Sequence, residues 1–169
     1  MIEIALQPPA TLIAIEVWGD AASVSQRLGA PLPPPCRAVV AGDRRVLWLE
    51  PNTWLVRSPR TEMDATLALL AEALGEDGAA SDVSGAFTRL RVEGDGWRDL
   101  LMIAGVFDAE SPGFGLGCVA GTVIHHIAVR LDVLSETAVD AYVAPSYAEG
   151  LLGHWRRSAA RLGAQSPAE

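Results

Sequence analysis

The three histidines, the two cysteines, Ser84 and a few carboxylates are the residues of this chain whose types and settings could do chemistry. His125 and His126 are adjacent, His154 follows near the C-terminus, and Cys36 and Cys118 lie far apart with no CxxC pair. A zinc site needs three or four converging donors. Neighbours on a regular strand point to opposite faces, so the spacing supports no metal site. Nucleophilic catalysis needs a serine or cysteine with a base in reach. Val83-Ser84-Gly85 lacks the flanks of a G-x-S-x-G elbow, so Ser84 reads as a strand-edge hydroxyl. The pattern assigns no catalytic residue.

Asp82 is the carboxylate of most interest. It could anchor an amine or a pterin-like ring by charge-assisted hydrogen bonds, or satisfy turn amides between two strands. Arg89 and Arg91 share one face of a strand, with Leu90 and Val92 on the other. They could grip a carboxylated ligand or an acidic patch on a partner, or form a solvated face. Asp82 and Arg89 are the candidate ligand-binding residues. Pro112-Gly113-Phe114-Gly115-Leu116-Gly117 superficially resembles a dinucleotide loop, but here a helix precedes and a strand follows, the reverse of what phosphate binding needs.

The chain carries 21 acidic residues against 13 basic, a net charge of −8. Such a surface repels phosphate backbones and argues against nucleic acid as a partner. Every basic residue is arginine, which removes Schiff-base lysine chemistry and lysine-dependent phosphate loops. Half the residues are hydrophobic, enough for a sizeable core in one domain or two tightly packed halves. The start, MIEIALQPP, has no basic n-region or apolar run, so a signal peptide is not expected. No segment approaches ~20 uninterrupted apolar residues, so no membrane span is expected. The cysteines read as reduced thiols of a cytoplasmic protein.

The elements that must position these residues follow from periodicity and punctuation. Strands are predicted over 11–18, 37–41, 45–50, 53–57, 87–93 and 138–143, with 121–134 as one long strand or a bent pair. A helix over 21–28 is capped by Asp20 and ended by Gly29. A second runs from 61–64 to 74 and a third from 97 to 104. The last starts at a capping box of Ser146 and Glu149 and carries Tyr147, Leu151, Trp155, Ala159 and Leu162. Glu76–Ala80 reads as a soft internal boundary. The fold class is α+β, two split-βαβ (ferredoxin-like) units packed together. The expected division is 1–78, 79–162 and a disordered tail at 163–169. Trp48, Trp54 and Trp97 fall at core positions. Trp18, Trp155 and Arg91 are interface candidates, tryptophan being enriched at binding hot spots, with plain core packing an equal alternative for Trp18 and Trp155.

Three ordered segments carry a family likeness: Pro51-Asn52-Thr53-Trp54-Leu55-Val56, then Asp82-Val83-Ser84 through Arg89-Leu90 to Leu100-Leu101, then Gly117-Cys118 and Thr122 through Tyr142-Val143 and Ser146-Tyr147 to Trp155. Together they resemble the gamma subunit of heterotetrameric sarcosine oxidase, a family related to the folate-binding aminomethyltransferase of the glycine cleavage system. The resemblance implies a fold like part of that transferase and a complex with alpha, beta and delta subunits. Such a complex demethylates sarcosine oxidatively to glycine, reducing oxygen to hydrogen peroxide and passing the one-carbon unit to tetrahydrofolate. The resemblance also implies that FAD, FMN, NAD and tetrahydrofolate sit on the partner subunits and none on this chain. The leading expectation is a non-catalytic assembly subunit. The alternatives are a stand-alone folate-binding one-carbon transferase, for which Asp82 and Arg89 would be the pair converging on a folate-like ligand, and a small homo-oligomeric binding protein.

Overall fold

The structure, a computed structural model, describes residues 1–165. The chain forms two units, one of Pro9–Gly85, the other of Met1–Pro8 together with the chain from Ala86 onward. The first strand, β1 (Glu3–Leu6), thus belongs to the second unit.

The unit from Pro9 runs β2 (Thr11–Val17), α1 (Ala21–Leu28), β3 (Ala38–Ala41), β4 (Arg44–Glu50), β5 (Thr53–Ser58), α2 (Met63–Leu74) and β6 (Gly78–Asp82). Its sheet has the order β3-β4-β5-β2-β6 with every pair antiparallel. Without the edge strand β3, this is a split-βαβ unit, as expected. Helix α1 starts where Asp20 accepts hydrogen bonds from the Ala22 and Ser23 amides at 3.2 and 3.1 Å, and stops at Gly29 with φ 63°. Ile13, Ile15 and Val17 alternate along β2 and face Val24 of α1 and Leu70 and Leu74 of α2 in one apolar cluster.

Residues 76–80 are not the expected soft boundary. A 3-10 turn, Gly75–Asp77, leads into β6, whose Gly78 lies opposite Val17 and Asp82 opposite Ile13. Gly78 is required there, because a Cβ would meet the Glu16 carbonyl oxygen at 2.4 Å. The boundary between units falls at Gly85 rather than at residue 78, because β6 completes the first sheet.

The other unit continues with β7 (Thr88–Glu93), α3 (Trp97–Met102), β8 (Val119–Ile124), β9 (Ile127–Ser135), β10 (Ala138–Val143) and α4 (Pro145–Gln165). Its sheet order, β1-β7-β10-β9-β8, repeats that of the first unit strand for strand. The edge place that β6 fills there is filled here by β1, paired antiparallel with β7 from Glu3↔Glu93 to Leu6↔Leu90. Leu90, Val92, Val139, Ala141, Val129 and Leu131 pack with Trp97, Leu101, Leu151 and Trp155 of the two helices.

Several local readings change. Residues 121–134 form two strands, and His125-His126 is the two-residue turn between them, with φ of 50° and 67°. Helix α3 ends at Met102 rather than 104. Helix α4 begins at Pro145, so Ser146 lies inside it rather than capping it, and it continues to Gln165. Residues 163–165 are therefore helical, and the expectation for 166–169 lies outside the described residues.

Candidate functional site

Asp82 closes β6, and Ser84 follows two residues later. Ser84 Oγ donates to Asp82 Oδ1 at 2.6 Å, the Ser84 amide donates to the same oxygen at 2.9 Å, and the Leu12 amide donates to Ser84 Oγ at 2.9 Å. The Ser84 hydroxyl and then its amide, helped by Arg60, hold the Asp82 carboxyl below the usual carboxylate range. A carboxylate so stabilised is a poor proton acceptor, and the hydroxyl beside it is already engaged. The pair ties β2 to the chain after β6, which is the turn-satisfying role.

Arg89 and Arg91 do share a face of β7, and both reach one acid. Arg91 Nε and Nη2 donate to Asp140 Oδ1 and Oδ2 at 2.8 and 3.1 Å, and Arg89 Nη1 donates to Oδ2 at 3.3 Å. Asp140 is fully buried, Arg89 nearly so and Arg91 half-buried. The hydrogen bond to Asp140 raises the Arg91 pKa further above its already high ordinary value. By register, Arg91, Asp140 and Asp132 form one cross-strand row, and Arg89, Tyr142 and Arg130 the next row on the same face. This face lies opposite the apolar residues that meet α3 and α4. Asp82 and Arg89 are each engaged within their own unit rather than held out for a ligand.

Asp140 and Asp132 are the functional-looking acids that sequence reasoning missed. The signal was present in Ala138-Val-Asp-Ala-Tyr-Val143, where one acid interrupts an otherwise apolar strand.

His125 comes to α4 and stacks on His154, ring centroids 4.2 Å apart and planes within 11°. Burial, and then the charge of His125, push the His154 pKa down, opposed by a hydrogen bond with the Ile103 backbone; Arg157 and Arg161 add to the lowering. Among the described residues, no group of three or more His, Cys, Asp or Glu converges to hold a metal ion.

The interface candidates separate. Trp155 is fully buried at the centre of the α4 core face, so it is a core residue and not an interface one. The reason is its spacing: it shares one helical stripe with Leu151, Ala159 and Leu162. Arg91 is committed to Asp140. Trp18 is exposed, and its indole Nε1 donates to the Glu76 carbonyl at 2.8 Å. An open cleft of about 740 Å³ between β1 and α4 is lined by Ile2, Ile4, Asp95, Asp99, Arg156 and Leu162, and by none of the candidate residues.

Comparison with known proteins fits this geometry. The sequence model of the family described as "Sarcosine oxidase, gamma subunit family" matches residues 17–160. Among solved structures, a chain of the heterotetrameric sarcosine oxidase from Corynebacterium sp. U-96, in complex with pyrrole 2-carboxylate, is similar with a TM-score of 0.87. It is 22% identical, and the match covers 99% of this chain and 88% of that one. Aminomethyltransferase T of the glycine cleavage system from Bartonella henselae is similar with a TM-score of 0.66 at 13% identity, over 91% of this chain and 45% of that one. The regulatory subunit of aspartate kinase from Thermus thermophilus, in its ligand-free form, follows with a TM-score of 0.53 at 16% identity, over 92% of this chain and 96% of that one. At these identities the structural likenesses show the fold. No curated protein sequence matches. No described helix is long and apolar enough to cross a membrane.

Proposed function

The chain belongs to the sarcosine oxidase gamma subunit family, and from that premise we propose that it is the non-catalytic assembly subunit of a heterotetramer with alpha, beta and delta subunits. The observation that carries the reading is the family match over residues 17–160. The likeness of fold to a chain of a heterotetrameric sarcosine oxidase, over 99% of this chain, supports it. The complex converts sarcosine, oxygen and tetrahydrofolate to glycine, hydrogen peroxide and methylenetetrahydrofolate. FAD, FMN, NAD and tetrahydrofolate are held by the partner subunits. This chain supplies a framework in which the candidate polar side chains are spent within each unit, Asp82 on Ser84 and Arg91 on Asp140. Its place is the cytoplasm, where Cys36, exposed, and Cys118, buried, stay as thiols.

The folate-binding alternative has less support. It needs Asp82 and Arg89 to turn to a ligand, and each would first have to leave its present partner.

Co-purification of the tagged chain from its native host tests the reading. Flavin-bearing partners and sarcosine-dependent peroxide production are expected. Recovery of the chain alone, with tetrahydrofolate raising its Tm, would overturn it in favour of folate binding.

A further inference from the structure

Trp18 is 62% exposed, whereas Trp54, Trp97 and Trp155 are each at most 6% exposed. It is nevertheless held in place. Its Nε1 donates to the Glu76 carbonyl at 2.8 Å and its amide to the Asp77 carbonyl at 2.9 Å. An indole with its polar edge satisfied and its face open to solvent loses little freedom when a partner arrives.

Several acids lie at this end of the sheet. Glu16 precedes Trp18 by two residues along the same strand direction and is exposed. Glu16 lies opposite Thr53 and Thr53 opposite Glu50, so the two glutamates stand in one cross-strand row. Glu76 and Asp77 come from the turn that binds the indole. Arg27, an exposed base nearby, is tied to this turn and pairs with Asp77. Its Nε donates to the Ala73 carbonyl at 2.6 Å and its Nη2 to Asp77 Oδ2 at 2.7 Å.

An exposed aromatic face on a surface that also carries the exposed Glu16, Glu50 and Glu76 suits a cation, which the ring quadrupole and the acids attract together. We propose that Trp18 anchors the contact with a partner subunit, and that the partner presents an arginine or lysine which lies on the indole face between Glu16 and Glu76. The inference rests on the assembly reading and adds to it the place and the chemistry of one contact.

The test is titration of the labelled chain into a complex of the other subunits. Trp18→Ala weakens binding about thirty-fold, the loss typical of a hot spot. Trp18→Phe keeps a ring face and loses less. Glu16→Arg with Glu76→Arg, which leaves the tryptophan and the Glu76 carbonyl in place, weakens binding more than about ten-fold, and Glu16→Gln with Glu76→Gln removes most of its salt dependence. Binding by Trp18→Ala equal to that of the parent, with an unchanged circular dichroism spectrum, overturns the proposal and leaves the assembly reading standing. Charge reversal without effect overturns the cationic partner, as does self-association of the parent chain that Trp18→Ala abolishes. If the parent chain binds none of the other subunits, the assembly reading itself falls.

Discussion

Arg91 meets Asp140 fork to fork, Nε on one carboxylate oxygen at 2.8 Å and Nη2 on the other at 3.1 Å. The acid is fully buried in the middle of a five-stranded sheet, and Arg89 approaches the same carboxylate at 3.3 Å. Removing one side of such a pair leaves an uncompensated charge in a poorly solvated place. Asp140→Ala is expected to cost about 3–5 kcal/mol, read as a shift in the urea midpoint of the unit that contains β7 and β10. Arg91→Lys loses the bidentate geometry and is expected to lie between the two. Equal midpoints for parent and Asp140→Ala would show that the pair contributes nothing.

His154 makes stability depend on pH. Its folded pKa lies below the ordinary value of about 6.5, from burial first and the charge of His125 second. The folded chain therefore binds fewer protons than the unfolded chain. The contribution is full above about pH 6.5 and is lost as pH falls through the folded value. His154→Gln is expected to flatten the dependence of Tm on pH below 6.5. An unaltered slope would mean that the imidazole titrates alike in both states.

Ser84 serves two partners, accepting from the Leu12 amide and donating to Asp82. Ser84→Ala leaves the partly buried amide unpaired, with an expected cost of about 1–3 kcal/mol. Asp82 also loses the hydroxyl hydrogen bond, the larger of the two that lower its pKa, and keeps the one from the amide of residue 84. Its contribution is present above about pH 3.9 and lost as pH falls through the lowered folded value, so acid unfolding of Asp82→Asn should begin from a less stable state and vary less with pH there. Titration of the carboxyl carbon by NMR checks the direction, and a folded pKa at or above the ordinary value sinks it.

Gly94 has φ 113°, and a Cβ there would come within 2.1 Å of the Met1 carbonyl oxygen. Gly94→Ala is strained twice, by backbone conformation and by collision, with an expected cost of about 1–3 kcal/mol from the first alone. Faster amide hydrogen exchange confined to Glu3–Leu6 and their β7 partners is the expected signature. Protection equal to the parent's in those strands would contradict it.

What was legible in the chain was what local chemistry bounds. Helix α1 lies between its Asp20 cap and Gly29, and β4 and β5 carry the short apolar runs Val46-Leu-Trp-Leu49 and Trp54-Leu-Val56 set off by turns. The short edge strands β1 and β6 were not legible. Four and five residues long, they take their state from the strand beside them rather than from their own pattern. The site was less legible still. Arg91 and Asp140 are 49 residues apart, and their meeting depends on the register of β7 on β10, which no local pattern specifies. For the two tryptophans left open between core and interface, position decides: Trp155 sits on the helical stripe that is buried, while Trp18 stands at an element end and is exposed.

The placement of β1 bears on synthesis. A ribosome that has just added Gly85 has produced every strand and helix of one unit, so that unit can close while the rest is still being made. At that moment Glu3–Leu6 is a solitary length of the other unit, and the strand it will pair with, Thr88–Glu93, does not yet exist. Glu3–Leu6, translated before the unit of Pro9–Gly85, thus belong to the unit that is finished after it, and they stay unpaired until Thr88–Glu93 has been made.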